Sequence, residues 1–422
     1  MGYVATLCQL CGVAFSIARI RAAHEPYESA WTYHGSGFVD AMEICEGDSG
    51  CQYFERENEN ELEHVAGPGC YALRGYSGYR VSVEDMAGCR SPQCLLRKDE
   101  NWEQEDDDQE FEKTSNYYLT GLSDMPPDEG WATELKPVRH GLEEVWVSNV
   151  SVMGFEDDQS MPFHPACFEI FKKVSINRLG LIDVHGLWSW RDLEAVCYDD
   201  FRQFPRSQAV KAGNQQWWEH EPGNEYLAVN PVTIPGFPAL LRSAISEHSD
   251  VRRRGANNNN ITNGVFTFTY KNDGDHWKGM HKTPPPGNKS DFFSRLPNEI
   301  RYMIISDLPA RDIANLRLVT PAYRQLPVSV FRTLILHEMP WLWEVHDFPV
   351  GKTDWYFLYT KMKFGWQELK GLRNRKRVWK DINEIVTRIA NYRDAGDISD
   401  DLSDGSSDDQ SLLLEPSWYE AS

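Results

Sequence analysis

The chain has 422 residues, long enough for two or more domains, and 41% of them are hydrophobic and 12% aromatic, which is sufficient for large buried cores. A formal net charge of −21 repels phosphate backbones and anionic lipid, and this argues against nucleic acid and membrane surfaces as general partners. No run of about 20 apolar residues occurs, so the sequence predicts no bilayer-spanning helix.

Cysteines are concentrated towards the N-terminus, where residues 1–98 contain seven of the nine. The first segment lacks the basic residues of a secretory leader, so we expect a cytoplasmic or nuclear protein whose thiols stay reduced. Clustered cysteines in a reducing compartment indicate metal binding rather than disulfides.

The first close pair is Cys8 and Cys11 in "CQLCG", and its two-residue gap lets both thiolates reach one zinc ion. A second pair, His164 and Cys167 in "MPFHPACFEIF", stands at the head of a predicted helix, where Pro165 suits the first turn. These four residues predict a tetrahedral zinc site like those of zinc ribbons and treble clefs. The alternative is that each cysteine is a small buried hydrophobe and that His164 is a hydrogen-bonded core residue.

A second candidate site lies in "EHVAGPGCYALRGYSGYRVSVEDMAGCRSPQCLLR". The predicted ligands are His64, Cys70, Cys89 and Cys94, with Cys45 and Cys51 as substitutes. Four protein ligands leave no coordination position for water or substrate, so any zinc at either site is predicted to be structural.

The chain divides by composition into successive regions. Residues 1–245 are predicted to be a cysteine-rich globular region, and their segment 99–112 has nine acidic side chains, which predicts an exposed insert. Residues 246–290, rich in Asn, Gly and Pro, are predicted to form a linker region.

Three short helices are predicted within 291–336. Pro297 begins the first, in which Ile300, Ile304 and Leu308 repeat every four residues, and Leu308-Pro309 ends it. A second follows near Asp312, and Thr320-Pro321 begins a third. So small a core is marginal alone, and we expect the module to pack against a partner or a neighbouring domain.

Across this segment the sequence resembles the F-box. The resemblance covers Leu296-Pro297, Glu299-Ile300, Leu308-Pro309, Asp312-Ile313, Leu316 to Val319 and Tyr323 to Leu326. In that family the module docks onto a Skp-type adaptor of a cullin–RING ubiquitin ligase. The resemblance therefore implies adaptor binding by Leu296, Pro297, Ile300, Ile304, Leu308, Pro309, Ile313, Leu316, Leu318, Val319, Tyr323 and Leu326.

Two positions depart from the F-box pattern. Tyr323 stands where the family usually has Trp, and Pro321-Ala322 stand where basic residues are common. The layout also resembles filamentous-fungal F-box proteins with a cysteine-rich N-terminal region.

Residues 337–394 are predicted to be a helical C-terminal region, whose last helix has one apolar stripe formed by Trp379, Ile382, Val386 and Ile389. Four tryptophans of the same region are predicted to be core residues, with a binding surface as the alternative: Trp341, Trp343, Trp355 and Trp366. The acidic, Ser-rich segment 395–422 is expected to be disordered.

The predicted fold class is therefore α+β and multidomain. No recognisable catalytic motif is present, so we expect a non-catalytic subunit. By resemblance this is a substrate receptor that binds the adaptor, through it a cullin, and an unknown protein target. The alternative is a zinc-stapled interaction scaffold that acts outside any ligase.

Overall fold

A computed structural model describes residues 7–15, 17–31, 38–39, 45, 47–55, 62–72, 75–100, 102–122, 133–137, 144–148, 160–195, 206–211, 223–245, 291–323, 326–364 and 369–399. Within these ranges the chain is a mixed α/β protein, as predicted at the level of fold class. The predicted linker region at 246–290, Cys197 and the tail beyond 399 lie outside the described residues.

Short strands form four small sheets in the described N-terminal half. The strands are β1 (Arg19–Ile20), β2 (Phe38–Val39), β3 (Gln52–Glu55), β4 (Leu62–Val65), β5 (Tyr76–Ser77), β6 (Gln93–Arg97), β7 (Tyr117–Leu119), β8 (Thr133–Pro137), β9 (Glu144–Ser148) and β10 (Met161–Phe163). β1 pairs with β5 in parallel. The antiparallel orders are β2-β4-β3, β10-β6-β7 and β8-β9.

In the described part of the chain, one short α-helix precedes residue 160, and helices dominate after it. They are α1 (Glu110–Thr114), α2 (Pro165–Leu179), α3 (Val184–Ala195), α4 (Gln208–Lys211), α5 (Phe237–Ala244), α6 (Asn298–Ser306), α7 (Ala310–Val319), α8 (Val328–Glu338), α9 (Trp355–Phe364) and α10 (Lys370–Ala395). Short 3-10 helices lie at Tyr27–Ser29, Glu225–Ala228, Phe293–Arg295, Pro321–Tyr323 and Trp343–Asp347. None of these described helices combines the length and apolar character needed to cross a bilayer.

Helix α10 belongs to the C-terminal region but packs on α2 and α3 of the N-terminal region. Its predicted apolar stripe is confirmed: all four side chains are buried in the main core. Arg393 pairs with Asp183 at 2.8 Å and Arg388 pairs with Glu194 at 2.9 Å, so charged pairs border the apolar contact. The domain boundaries stay a prediction, but the last predicted helix shares its core with the first region.

The stripe on α10 gives a stability prediction. Ile382 is fully buried, so Ile382→Ala is expected to lower the free energy of unfolding by about 2–5 kcal/mol through lost apolar contacts and a residual cavity. Lys380→Ala, at an exposed position of the same helix, is the control, expected within about 0.5 kcal/mol of wild type. Urea denaturation followed by circular dichroism measures both, and equal stabilities would contradict the packing of α10 described here.

The acidic insert is only partly exposed. Its end enters helix α1, where Phe111 is buried edge-to-face against Phe168 of α2. The buried Glu112 carboxylate accepts the amide N–H of Leu119 at 2.8 Å and that of Gln109 at 2.8 Å. The prediction of an exposed segment over all of 99–112 is therefore wrong at Phe111 and Glu112. Phe111 is buried by its aromatic contact, and two hydrogen bonds offset the cost of burying the Glu112 carboxylate.

The C-terminal region is buried at several of its tryptophans and also beyond the predicted end of its last helix. Trp341 and Trp355 are buried, which confirms their place in the core. Trp343 is half-buried, and Trp366 lies outside the described residues. Residues 395–399, assigned to the tail, begin with the end of α10, and Ile398 is buried after the left-handed cap at Gly396.

Candidate functional site

The first candidate site joins a tight turn near the N-terminus to the start of helix α2. In the turn the amide of Gly12 donates to the Cys8 carbonyl at 2.7 Å, and the amide of Cys8 donates to the Val13 carbonyl at 2.9 Å. Gly12 has a φ of 73°, a conformation that favours glycine. Gln9 donates its amide to the Pro162 carbonyl at 2.9 Å, so the turn is tied to β10, directly before the helix.

Helix α2 presents the other two ligands, as predicted. His164 is its N-cap residue, Pro165 occupies the first helical position, and Cys167 follows in the first turn. The thiols of Cys8, Cys11 and Cys167 and the imidazole of His164 are all buried, and their ligand atoms lie within 4.8 Å of one another.

Distances at this site match tetrahedral coordination. Nδ1 of His164 lies 3.5 Å from Sγ of Cys11 and 4.0 Å from Sγ of Cys167. A zinc ion at ordinary bond lengths would separate a nitrogen and a sulfur ligand by about 3.6 Å. Nε2 lies 2.8 Å from the Cys89 carbonyl, to which it donates, so Nδ1 is the ring nitrogen that faces the thiols and would coordinate a metal.

Mutual effects in the cluster favour a thiolate at Cys11 but a protonated thiol at Cys167, because hydrogen bonds with Cys11 and Cys8 and burial raise the pKa of Cys167 well above its ordinary value. Burial would raise the pKa of Cys11, but hydrogen bonds from Cys167 and Cys8 and the charge of His164 hold that pKa well below its ordinary value. Burial would lower the pKa of His164, but the Cys8 and Cys11 charges raise it to about 10. The cluster therefore pairs a buried Cys11 thiolate with a cationic His164 imidazole, and a divalent cation would take over the balancing role of the imidazole proton.

The second group of ligands consists of Cys45, Cys51, His64 and Cys70, whose ligand atoms also lie within 4.8 Å of one another. Cys51 directly precedes β3 and His64 lies on β4, so the antiparallel β3–β4 pair brings them together. Cys70 ends the Gly67-Pro68-Gly69 turn, in which the Cys70 amide donates to the Gly67 carbonyl at 3.0 Å.

The surroundings of the second group keep the His64 imidazole neutral and hold its ring in place. Burial lowers the pKa of His64 to about 4, so the imidazole is neutral, as coordination requires. Its Nε2 lies 3.8 Å from Sγ of Cys70, and the Tyr53 ring stacks on it at 4.8 Å between ring centres. Nδ1 of His64 is buried with no hydrogen-bond partner in the described chain, and the Gly67 amide donates to Sγ of Cys51 at 3.3 Å.

The structure does not bring Cys89 and Cys94 to His64, which corrects the predicted second set of ligands. Cys94 lies within β6 opposite Pro162, and its amide donates to Oγ1 of Thr120. Cys89 lies beside the first site, where its carbonyl accepts the His164 ring N–H. The substitutes Cys45 and Cys51 take their places, because strand pairing brings β3 and β4 together.

The helical module forms over 291–323, with prolines at the starts of its elements as predicted. Pro297 caps α6, Pro309 caps α7, and Pro321 begins the following 3-10 helix. Asp291 accepts hydrogen bonds from Oγ1 of Thr320 at 2.6 Å and from the Ala322 amide at 3.3 Å, and these bonds close the module. Glu338 of α8 accepts the Ala310 amide at 3.0 Å, which ties α7 to the helices that follow.

The residues predicted to bind an adaptor fall into three groups by exposure. Ile313, Tyr323 and Leu326 are buried, so in this arrangement they stabilise the module rather than face a partner. Leu296, Ile304, Leu308 and Leu316 are half-buried, and the exposed set is Pro297, Ile300, Pro309, Leu318 and Val319. Tyr323 packs edge-to-face on Phe293 at 5.4 Å, which gives a core role to the aromatic ring at this position.

Comparisons with known proteins do not assign a family. No protein-family model and no solved structure matches the chain. A stretch of 70 residues is 37% identical to part of the mitochondrial ATP-dependent RNA helicase mss116 of Aspergillus oryzae, over 17% of this chain and 11% of the helicase. A match to so small a part of either chain does not place this protein in the helicase family, and the F-box resemblance stays a prediction.

Proposed function

We propose that the chain is an F-box substrate receptor: residues 291–336 bind a Skp-type adaptor, and another surface holds a protein target for a cullin ubiquitin ligase. The observation that supports it most is an exposed apolar set on α6 and α7. Ile300, Met303, Leu318 and Val319 are 42%, 61%, 73% and 78% exposed. Large apolar side chains left in water on a small module are typical of a protein-binding surface.

The proposal assigns no bond chemistry to the chain itself. Zinc at both sites is part of it, because three thiolates and one imidazole in a tetrahedral arrangement suit zinc among the common divalent ions. With all four positions filled by protein, each ion would hold distant segments together.

The test is co-purification of the full chain with a Skp-type adaptor and a cullin. Ile300→Asp combined with Leu318→Asp puts charge on the exposed apolar set without touching the buried residues of the module, so we expect adaptor recovery to fall at least tenfold. Glu299→Gln combined with Asn315→Asp, at exposed polar positions on the same two helices, is the matched control and should bind like wild type.

Circular dichroism shows whether each variant folds. A folded wild-type chain that recovers no adaptor would sink the receptor proposal, as would full recovery by the Asp variant.

The second candidate function is a zinc-stapled interaction scaffold. Its support is that the first ligand group joins segments distant in sequence, as in Cys11 and His164, which are 153 residues apart. The two functions differ in one partner, since only the receptor requires the cullin. Adaptor recovered without cullin would favour the scaffold.

A further inference from the structure

Two buried arginines bracket the turn that holds Cys8 and Cys11. Nη1 of Arg377, on α10, donates to the Cys11 carbonyl at 2.9 Å. Arg206 donates through Nη2 to the Gln9 carbonyl, and its side chain lies against Gly12, where a Cβ would come within 2.7 Å of its Nε. Relative exposures of 7% for Arg206 and 8% for Arg377 are unusual for guanidinium groups, which are rarely buried without a nearby negative charge.

Neighbouring side chains hold Arg377 in this position. Oδ1 of Asn374 accepts its Nε–H at 2.9 Å, and Oδ2 of Asp381 lies 3.3 Å from Nη1. Asn374 is itself fixed, because its side-chain amide donates to the Val229 carbonyl at 2.6 Å. Nη2 of Arg377 has no hydrogen-bond partner in the described chain, although the side chain is buried.

The electrostatic environment of the arginines points to the thiolates. Burial would lower the pKa of Arg377, but the charges of Cys11 and Asp381 raise it. Burial lowers the pKa of Arg206, against the opposing charges of Asp381, Cys11 and Cys8. Both guanidinium groups therefore lie within electrostatic range of Cys11, with Cys167 also near Arg377 and Cys8 also near Arg206.

Formal charge shows why two cations are needed. A divalent ion with three thiolates and a neutral imidazole carries a net charge of about −1, which is costly to bury alone. Arg206 and Arg377 together contribute two positive charges, and Asp381 removes one, so the buried assembly is close to neutral.

We propose that Arg377 and Arg206 form a cationic outer shell that neutralises the Cys8–Cys11–His164–Cys167 metal site and couples its occupancy to the docking of helix α10. This rests on metal binding at the first site and is independent of adaptor binding. Both arginines are positioning residues, since they donate to carbonyls of the turn that holds Cys8 and Cys11. Outer-shell groups of this kind commonly change metal affinity by about 10–100-fold.

The first measurement is metal affinity by competition with a chromogenic chelator, on full-length protein with Cys45 and Cys51 changed to Ser so that only the first site is read. Arg377→Met is expected to weaken zinc binding about tenfold or more, and Arg377→Lys, which keeps the charge, to recover most of that loss. Lys380→Met, exposed on the same helix, is the control for loss of a positive charge and should bind like the parent.

Asp381→Asn distinguishes charge compensation from simple packing. It removes the negative charge of the carboxylate paired with Arg377. If the arginines neutralise the metal site, zinc should then bind equally well or more tightly. Global stability should fall, because hydrogen bonds of Asp381 are lost. A purely structural role predicts weaker binding in this variant. This variant also decides the question if Arg377→Met fails to fold.

Amide hydrogen exchange of residues 370–395 is compared with zinc bound and after its removal. The comparison tests whether metal occupancy of the first site is coupled to the docking of α10. We expect faster exchange around 374–381 in the zinc-free protein. Unchanged exchange, or a folded Arg377→Met variant that binds zinc like the control, would overturn the inference. Wild-type protein that holds no metal at all would instead refute the metal proposal on which it rests.

Discussion

Removing the metal from the first site is expected to cause the largest loss of stability in this chain. Cys167→Ala deletes one of the four ligands, and the remaining three leave buried charge without a complete coordination shell. We expect the free energy of unfolding to fall by at least about 4 kcal/mol when free zinc is near 1,000 times the dissociation constant. Thermal unfolding with and without added zinc measures this change.

Cys94→Ala is the matched control for that variant. Cys94 is as deeply buried as Cys167 but belongs to neither ligand group, so its substitution reports the loss of a buried thiol alone. We expect a smaller effect, about 1–2 kcal/mol, and no dependence on zinc. Equal destabilisation of the two variants, both insensitive to zinc, would show that Cys167 is an ordinary core residue.

Gly67→Ala is expected to abolish the second metal site. A Cβ at Gly67 would lie 2.1 Å from the carbonyl carbon of Gly50 and 2.4 Å from its oxygen, far inside any permitted contact. Relief requires the 49–51 segment to move away from the 67–70 turn, which separates Cys51 from Cys70. We therefore expect one fewer zinc ion per chain by elemental analysis, with the first site still filled.

Gly47→Ala provides the comparison, because no atom of the described residues lies within 4 Å of a Cβ built at Gly47. It should keep the wild-type zinc content. Two zinc ions in the Gly67→Ala protein would contradict the close approach of the two turns, and a wild-type content of one ion would show that the second group does not bind metal.

The first ligand group was predictable from sequence because each half is a local feature. Cys8 and Cys11 share one turn, and His164 and Cys167 share one helix start, so spacing and Pro165 identified both pairs. The second group was predicted less well because its members meet through strand pairing. Nothing local to Cys45 or Cys51 distinguishes them from Cys89 and Cys94, since the register of β3 on β4 sets the outcome.

Local periodicity predicted α2, α6 and α10 well, since apolar side chains repeat along each of them. It could not show that α10 packs beside α2, because that contact joins parts of the chain separated by about 200 residues, as in the Arg178–Thr387 hydrogen bond. It also missed the arginines around the first site. Arg377 lies in the basic run "RNRKR", which by composition resembles a solvated helix face, yet Arg375 and Arg377 of that run are buried.

The hydrogen bond between Arg377 and the Cys11 carbonyl spans 366 residues, and this separation bears on synthesis in the cell. At about 5–20 residues per second, a ribosome needs roughly 20–70 s after making the turn before α10 exists to cover it. During that interval the N-terminal thiols and the apolar face of α2 lack their final cover, a state in which nascent chains are prone to aggregate. Early metal capture by the emerging 8–167 segment would shorten this exposure, so zinc supply during translation is expected to govern the yield of folded protein.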